Sequence, residues 1–151
     1  MRLQISTSLA LYSVLEFAAN PERAISAADI AAKYEVSTHH LAKVLRELVR
    51  AGILESTRGV GGGYRFGGNV KRLTLMDVIE LFEDLGDRTG RKLQPGASTD
   101  VGQALGVVLT EIDEIAEATF RSITISTMLR LIERQRDVAG EQVPPKKTRR
   151  G

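Results

Sequence analysis

Ser56-Thr57-Arg58-Gly59-Val60-Gly61-Gly62-Gly63-Tyr64-Arg65-Phe66 is the stretch on which the fold turns. Four of the six residues from Arg58 to Gly63 are glycine, so the backbone there can take positive φ and lie close to another surface, while Arg58 and Arg65 bracket it with charge. On one side Ile53-Leu54-Glu55-Ser56-Thr57 reads as a strand. On the other, Tyr64-Arg65-Phe66 returns with its two aromatic residues on one face and Arg65 on the opposite one. The glycines do not fit a nucleotide-binding loop, in which they open a helix and precede Lys-Ser/Thr or a third spaced glycine. Here Tyr64 takes that third place and a strand follows.

Three helical segments precede this hairpin. Ile5, Leu9, Tyr12, Leu15 and Ala19 recur at helical spacing, and Glu16 interrupts what would otherwise resemble an apolar targeting segment, so residues 5–19 are expected to form a helix facing the core through those positions. Ser26 is placed as an N-cap, with Asp29 three residues on to return a hydrogen bond and Ile25 to staple onto Ile30, which predicts a helix over residues 27–34. Ser37 caps a second helix expected to reach about residue 51, where Gly52 supplies a left-handed stop. Two helices joined by so few residues form a helix-turn-helix.

The helix after Ser37 divides by face. Leu41, Val44, Leu45 and Leu48 fall on one side at i, i+3, i+4, i+7 and are expected to pack inward. The other side reads His39, Lys43, Arg46 and Arg50, a row of donors with no carboxylate among them, and Thr38, His39 and His40 stand in the first turn, which enters the major groove in such motifs. A solvated basic face is the bland alternative for such a row; the capped helix before it and the basic hairpin after it favour DNA. The chain's two histidines are adjacent, so they point about 100° apart on a helix and cannot share one metal without further ligands. An arginine on a thin loop such as Arg58 suits a narrow minor groove.

Charge is distributed unevenly along the 151 residues. Residues 1–72 carry ten Lys/Arg against six Asp/Glu, residues 73–120 three against ten, and residues 121–151 eight against three. A basic head followed by an acidic middle suggests that only the head faces a polyanion. The chain contains no cysteine, which excludes disulfides, cysteine zinc sites and thiolate-held iron-sulfur clusters. No apolar run approaches the roughly 20 residues needed to cross a bilayer, so a cytoplasmic protein without a membrane partner is expected.

Beyond the hairpin, Thr74 and Asp77 repeat the cap spacing, predicting a helix over residues 75–85 ended by Gly86. A polar loop of about fourteen residues follows, a length at which loops are often functional. From Val101 the apolar residues Val101, Leu105, Val108, Ile112 and Ile115 are spaced 4, 3, 4, 3 along a single seam. A helix of about 30 Å is longer than so small a domain can cover, which favours pairing with a second chain over an intramolecular core helix. A short helix over residues 125–134 would brace the pair through Ile125, Met128, Leu129 and Ile132, and a disordered basic tail is expected after it.

In Leu41-Ala42-Lys43-Val44-Leu45-Arg46-Glu47-Leu48-Val49-Arg50-Ala51-Gly52-Ile53-Leu54, in the hairpin quoted above and in Leu75-Met76-Asp77-Val78-Ile79, the chain resembles the Rrf-two family of bacterial winged-helix regulators over about residues 1–134. The resemblance implies a homodimer on a palindromic operator, with Thr38, His39, His40 and Lys43 in the major groove and Arg58 in the minor groove. Cluster-binding members of that family carry three cysteines before the long helix, where residues 87–100 here have none. A small molecule or a protein partner could replace the cluster as signal, or the chain could repress constitutively; if a ligand exists, the resemblance implies a pocket between the helix ending near Leu85, the glycine-containing loop and the long helix.

The sequence thus predicts a mainly α protein: a winged helix-turn-helix with a two-stranded β wing (residues 1–73), a connecting helix and polar sensor-like loop (74–100), a long C-terminal dimerisation helix with a short bracing helix (101–134), and a basic tail (135–151). The expected function is that of a sequence-specific transcriptional regulator, in particular a repressor, on double-stranded DNA. A protein-interaction adaptor that has lost specific DNA binding is the alternative. The predicted DNA-contacting residues are Ser37, Thr38, His39, His40, Lys43 and Arg46 with Arg58, Gly59, Gly61, Gly62, Gly63, Tyr64 and Arg65; Val101, Leu105, Val108, Ile112 and Ile115 form the predicted dimer seam. No catalytic residues, metal or cofactor are expected. The chain has no cysteine nucleophile and no carboxylate pair at a spacing that suggests a buried acid/base site.

Overall fold

A computed structural model describes residues 3–84 and 94–141. In order these form α1 (Ile5–Ala19), α2 (Ala27–Lys33), α3 (Thr38–Arg50), β1 (Leu54–Thr57), β2 (Gly63–Phe66), α4 (Leu75–Ile79), α5 (Asp100–Ser122) and α6 (Ile125–Glu141). Helix α1 is the hub and packs on α3, α4, α6 and β2. Its Val14 and Phe17 join Leu41, Leu45 and Leu48 of α3, Leu54 of β1, Ile79 of α4 and Ile125 of α6 in one core. Full burial of each such side chain is worth about 1.5–3 kcal/mol.

The core-facing side of α1 is not the one its periodicity suggests. Of Ile5, Leu9, Tyr12, Leu15 and Ala19 only Leu9 is buried; Ile5 remains 70% and Tyr12 48% exposed. The buried set is Thr7, Leu9, Ala10, Ser13, Val14, Phe17 and Ala18. Small residues let neighbouring backbones approach on that side, and the two polar ones are satisfied: the Ser13 hydroxyl donates to the Leu9 carbonyl at 2.7 Å and the Thr7 hydroxyl to Glu83 Oε1 at 2.6 Å.

The helix-turn-helix forms as its caps direct. Ser26 Oγ accepts from the Asp29 amide at 3.1 Å and Ser37 Oγ from the His40 amide at 3.3 Å. The return bond expected from Asp29 is not made; the reciprocal box forms at Thr74 and Asp77 instead. Between α2 and α3 the chain reverses through Glu35 at φ 54°, a left-handed conformation that costs a residue with a side chain about 1 kcal/mol or more. Gly52 lies just past α3 in the left-handed conformation, as the sequence predicted.

The wing is a two-stranded antiparallel sheet in the register Leu54↔Phe66, Glu55↔Arg65, Ser56↔Tyr64 and Thr57↔Gly63. The other edge of β2 bonds to the segment leading into α2, where the amides of Ile25 and Tyr64 each donate to the other's carbonyl at 2.9 Å.

The C-terminal half departs from expectation twice. Helix α4 ends at Ile79 rather than near Leu85, and the chain turns through residues 80–83. Glu83 is drawn off the helix path to α1, where its carboxylate accepts from the Gln4 amide at 2.7 Å as well as from Thr7. It thereby caps a helix start that has no side-chain cap of its own. The predicted stop at Gly86 falls outside the described residues, as does the first half of the polar loop, residues 87–93. Helix α6 runs to Glu141, so residues 135–141, expected in the tail, are helical; Arg, Gln and Ala there favour helix once packing has started it. It lies on α1 of its own chain, with Met128 and Leu129 against the core.

Helix α5 begins at Asp100 under a Thr99 cap and runs 23 residues, about 34 Å at 1.5 Å per residue. None of its residues is buried. Its half-buried positions, Gly102, Gly106, Thr110, Asp113, Ala116, Glu117 and Phe120, recur along one side of the helix, and α5 packs on α4. The bonds Leu75 N–H to Ile123 C=O (2.9 Å) and Ile125 N–H to Leu73 C=O (2.8 Å) tie the α5–α6 corner to the start of α4.

Candidate nucleic-acid interface

Helix α3 separates its two sides completely. Leu41, Val44, Leu45 and Leu48 are buried at 2% exposure or less, whereas Thr38, His39, Lys43, Arg46 and Arg50 are exposed. Their side chains stay outward because the inner stripe alone fills the space beneath α1. Not every cation in the row is equally available: Arg50 Nη1 pairs with Glu47 Oε1 at 2.9 Å. The row without an ion pair among the described residues therefore shortens to His39, Lys43 and Arg46, with Glu47 sharing the groove of the last two.

His40 is turned differently. It is half-buried, and its Nε2 lies 3.1 Å from Ser6 Oγ on α1. Ser37 serves chiefly as the cap. Along this side of α3 runs an open groove of about 540 Å³ whose walls include Ser6, His40, Lys43, Arg46 and Phe82.

In the wing, Arg58, Gly59, Gly61 and Arg65 are exposed. Gly59 and Gly61 turn the tip at φ 96° and 75°, closed by the Gly62 amide donating to the Gly59 carbonyl at 2.9 Å. Gly63 and Tyr64 face inward. A Cβ on Gly63 would meet the Ile25 carbonyl oxygen at 2.6 Å, and the Tyr64 ring tilts over Phe17 with centroids 6.3 Å apart. These two residues hold the hairpin to the body rather than present it. Val60, which the sequence reading passed over, stands fully exposed at the tip; its signal was a lone β-branched residue among glycines.

On the outer side of α1, the Glu16 carboxylate accepts from Lys33 Nζ and from the Tyr34 hydroxyl, both at 2.5 Å, and Tyr34 stacks on Tyr12 at 5.1 Å. Partial burial alone would raise the Glu16 pKa, but the two hydrogen bonds and the charges of Lys33 and Arg136 outweigh it and hold the carboxyl below its ordinary value. Burial first, and then the Glu16 contact, push the Tyr34 hydroxyl above its ordinary value. This network braces α1 against α2.

The model of the Rrf2 family, described as iron-dependent transcriptional regulators, matches residues 3–131. The chain belongs to the Rrf2 family. It is 58% identical over 138 residues to BadM of Rhodopseudomonas palustris, named as an HTH-type transcriptional regulator; the match covers 90% of this chain and 86% of BadM. Two solved structures share the fold: the global cysteine regulator CymR of B. subtilis (TM-score 0.70, 21% identity, 87% of this chain and 98% of that one) and IscR of T. potens (TM-score 0.69, 21% identity, 95% and 93%). The protein is thus a transcriptional regulator with a winged-helix fold, in a family of regulators rather than enzymes.

The iron in the Rrf2 description finds no thiolate in this chain, which has no cysteine, and among the described residues no three His, Cys, Asp or Glu side chains gather to hold a metal. The residues present do not fit a cysteine-ligated cluster. An open cleft of about 260 Å³ lies between the segment before α5 and the first turns of α5, lined by Pro95, Val101, Leu105 and Leu109 among others and by no residue of α4; the part of the expected effector pocket that falls on residues 85–93 lies outside the described residues. No helix among the described residues is long and apolar enough to cross a membrane.

Proposed function

We propose that this Rrf2 regulator is a homodimeric repressor that binds a palindromic operator through α3 and the wing. One observation carries the reading: an exposed row of His39, Lys43 and Arg46 lies on a helix whose other side is wholly buried, and the hairpin that follows presents Arg58 and Arg65. Thr38 and His39, in the first turn, meet base edges, Lys43 and Arg46 meet bases and phosphates, and Arg58 enters the minor groove with Val60 against the sugar edge. Ser37, Gly63 and Tyr64 serve by holding α3 and the wing in place. Residues 3–73 are the DNA-binding head.

The second copy of the chain is supported by the seam. Val101, Leu105, Val108, Ile112 and Ile115 keep heptad spacing, and each is more than half exposed. A two-fold pair along α5 buries them and sets two α3 helices on successive turns of the duplex. A dimer spanning two DNA turns excludes other proteins from the site, which is repression by occlusion.

Selection of random DNA fragments with the purified protein, followed by salt titration on the best site, tests this. The expected result is one enriched palindrome whose affinity falls steeply with salt. Arg58→Ala is expected to weaken binding about 5- to 10-fold and to lower the salt slope by about one. Absence of any enriched sequence would overturn the reading in favour of the adaptor.

A further inference from the structure

Among the predicted DNA-contacting residues of α3, His40 has a side chain that is hydrogen-bonded to another helix. Its Nε2 lies 3.1 Å from Ser6 Oγ. One of the two groups donates to the other, and either choice fixes the plane of the imidazole. Ser6 stands in the first turn of α1, on a stretch of backbone that is itself anchored: two residues before it the Gln4 amide, and one residue after it the Thr7 hydroxyl, both donate to Glu83 Oε1. Thr7 is fully buried. The serine is therefore a stationary partner, set by a carboxylate that reaches α1 from the end of the α4 turn.

The held imidazole forms part of the wall of the groove along α3, on the side where Lys43 and Arg46 stand. It lies on the first turn of α3, whose amide at His40 is also the one that the Ser37 cap binds. A ring free to rotate there would offer donors and acceptors in several directions. A ring tied to α1 offers one arrangement and closes the others.

We propose that Ser6 is a positioning residue for operator recognition: by holding the His40 imidazole against α1 it fixes which base edges the first turn of α3 can meet. The proposal rests on the operator-binding reading above. Specificity in α3 is then set in part by a residue 34 positions earlier in the chain, and Glu83 carries the position of the α4 turn into it.

Two measurements test this. Because the chain has only two histidines, the ring nitrogens of both are readily separated in nitrogen-15 spectra of the full chain. Ser6→Ala is expected to shift those of His40 and leave those of His39 in place, while Ser6→Thr, which keeps the hydroxyl, restores the wild-type pattern. Unmoved His40 resonances in Ser6→Ala overturn the proposal whatever the protein does with DNA.

The second measurement is a cycle of Ser6→Ala, His40→Ala and the double variant on the selected operator and on its single-base variants. Loss of one hydrogen bond predicts about a 2- to 10-fold change in the ratio between operator and variants at the base pairs nearest the first turn, while the unfolding temperature falls by no more than a few degrees. The double variant should match His40→Ala alone, because Ser6 acts through it. Independent, multiplying effects, or an unchanged base preference in Ser6→Ala, overturn the positioning role. If the wild type itself selects no sequence, the operator reading fails, and that failure is visible separately from the spectra.

Discussion

The head and α5 use apolar residues in opposite ways. In the head, Leu41, Val44, Leu45 and Leu48 are almost without exposed surface, each enclosed by α1, β1 or a neighbouring turn. In α5, Val101, Leu105, Val108, Ile112 and Ile115 keep an equally regular pattern, yet none is buried by the chain that carries them. The pattern in each case defines a face, and only the folded environment says whether that face is already covered. A seam left open over about 21 Å costs solubility unless something covers it, whereas the core of the head is closed within the chain, with Ile79 of α4 and Ile125 of α6 completing it.

The sharpest way to break this contrast is to make the same kind of change on both sides. Leu45→Ala in the closed core is expected to cost about 2–5 kcal/mol in denaturant unfolding. Ile112→Asp on the open seam should leave the head folded but, by placing two uncompensated carboxylates in the proposed pair, raise the dimer dissociation constant by at least about 30-fold, read by light scattering. A wild-type chain that is monomeric at micromolar concentration would remove the contrast's explanation altogether. Between the two lies Gly63→Ala. The added methyl must displace the Ile25 carbonyl it would meet at 2.6 Å, so a loss of about 1–3 kcal/mol is expected, with operator affinity falling further than stability alone explains.

The smallest effect concerns the head's own bracing. Glu16 is held below its ordinary pKa, so its contribution to stability is present above the unfolded value near 4.5 and is lost as pH falls through the lower folded value. Glu16→Gln should therefore lower the unfolding temperature modestly at neutral pH, with the difference from wild type closing in acid. A constant difference down to the acid limit would assign the effect to packing instead of charge.

How much of this was legible beforehand depended on local contrast. Helix α3 could be read face by face because its apolar residues are confined to one stripe, and the caps Ser26, Ser37, Thr74 and the stop at Gly52 work within four residues of the helix ends they serve. Helix α1 is apolar round most of its circumference, so spacing alone picked a side containing Ile5 and Tyr12 while the core took the side with Ala10 and Ser13. Residues 135–141 looked like tail because they are charged, although charge on an exposed helix is no obstacle. What could not be read at all were the side-chain bonds across the chain. Ser6 with His40 and Thr7 with Glu83 are 34 and 76 residues apart, and nothing in the spacing of either pair announces a partner. Those bonds decide which candidate residues present themselves and which act as supports.

The double attachment of β2 has a mechanical consequence. With β1 bonded along one edge and Ile25 along the other, and with Tyr64 wedged over Phe17, the root of the wing is clamped to the beginning of α2. The hairpin is a cantilever with a stiff base: bending falls on residues 58–62 rather than on the paired strands, which in the proposed complex lets Arg58 search for its groove over a short arc while the phase between the wing and α3 stays locked.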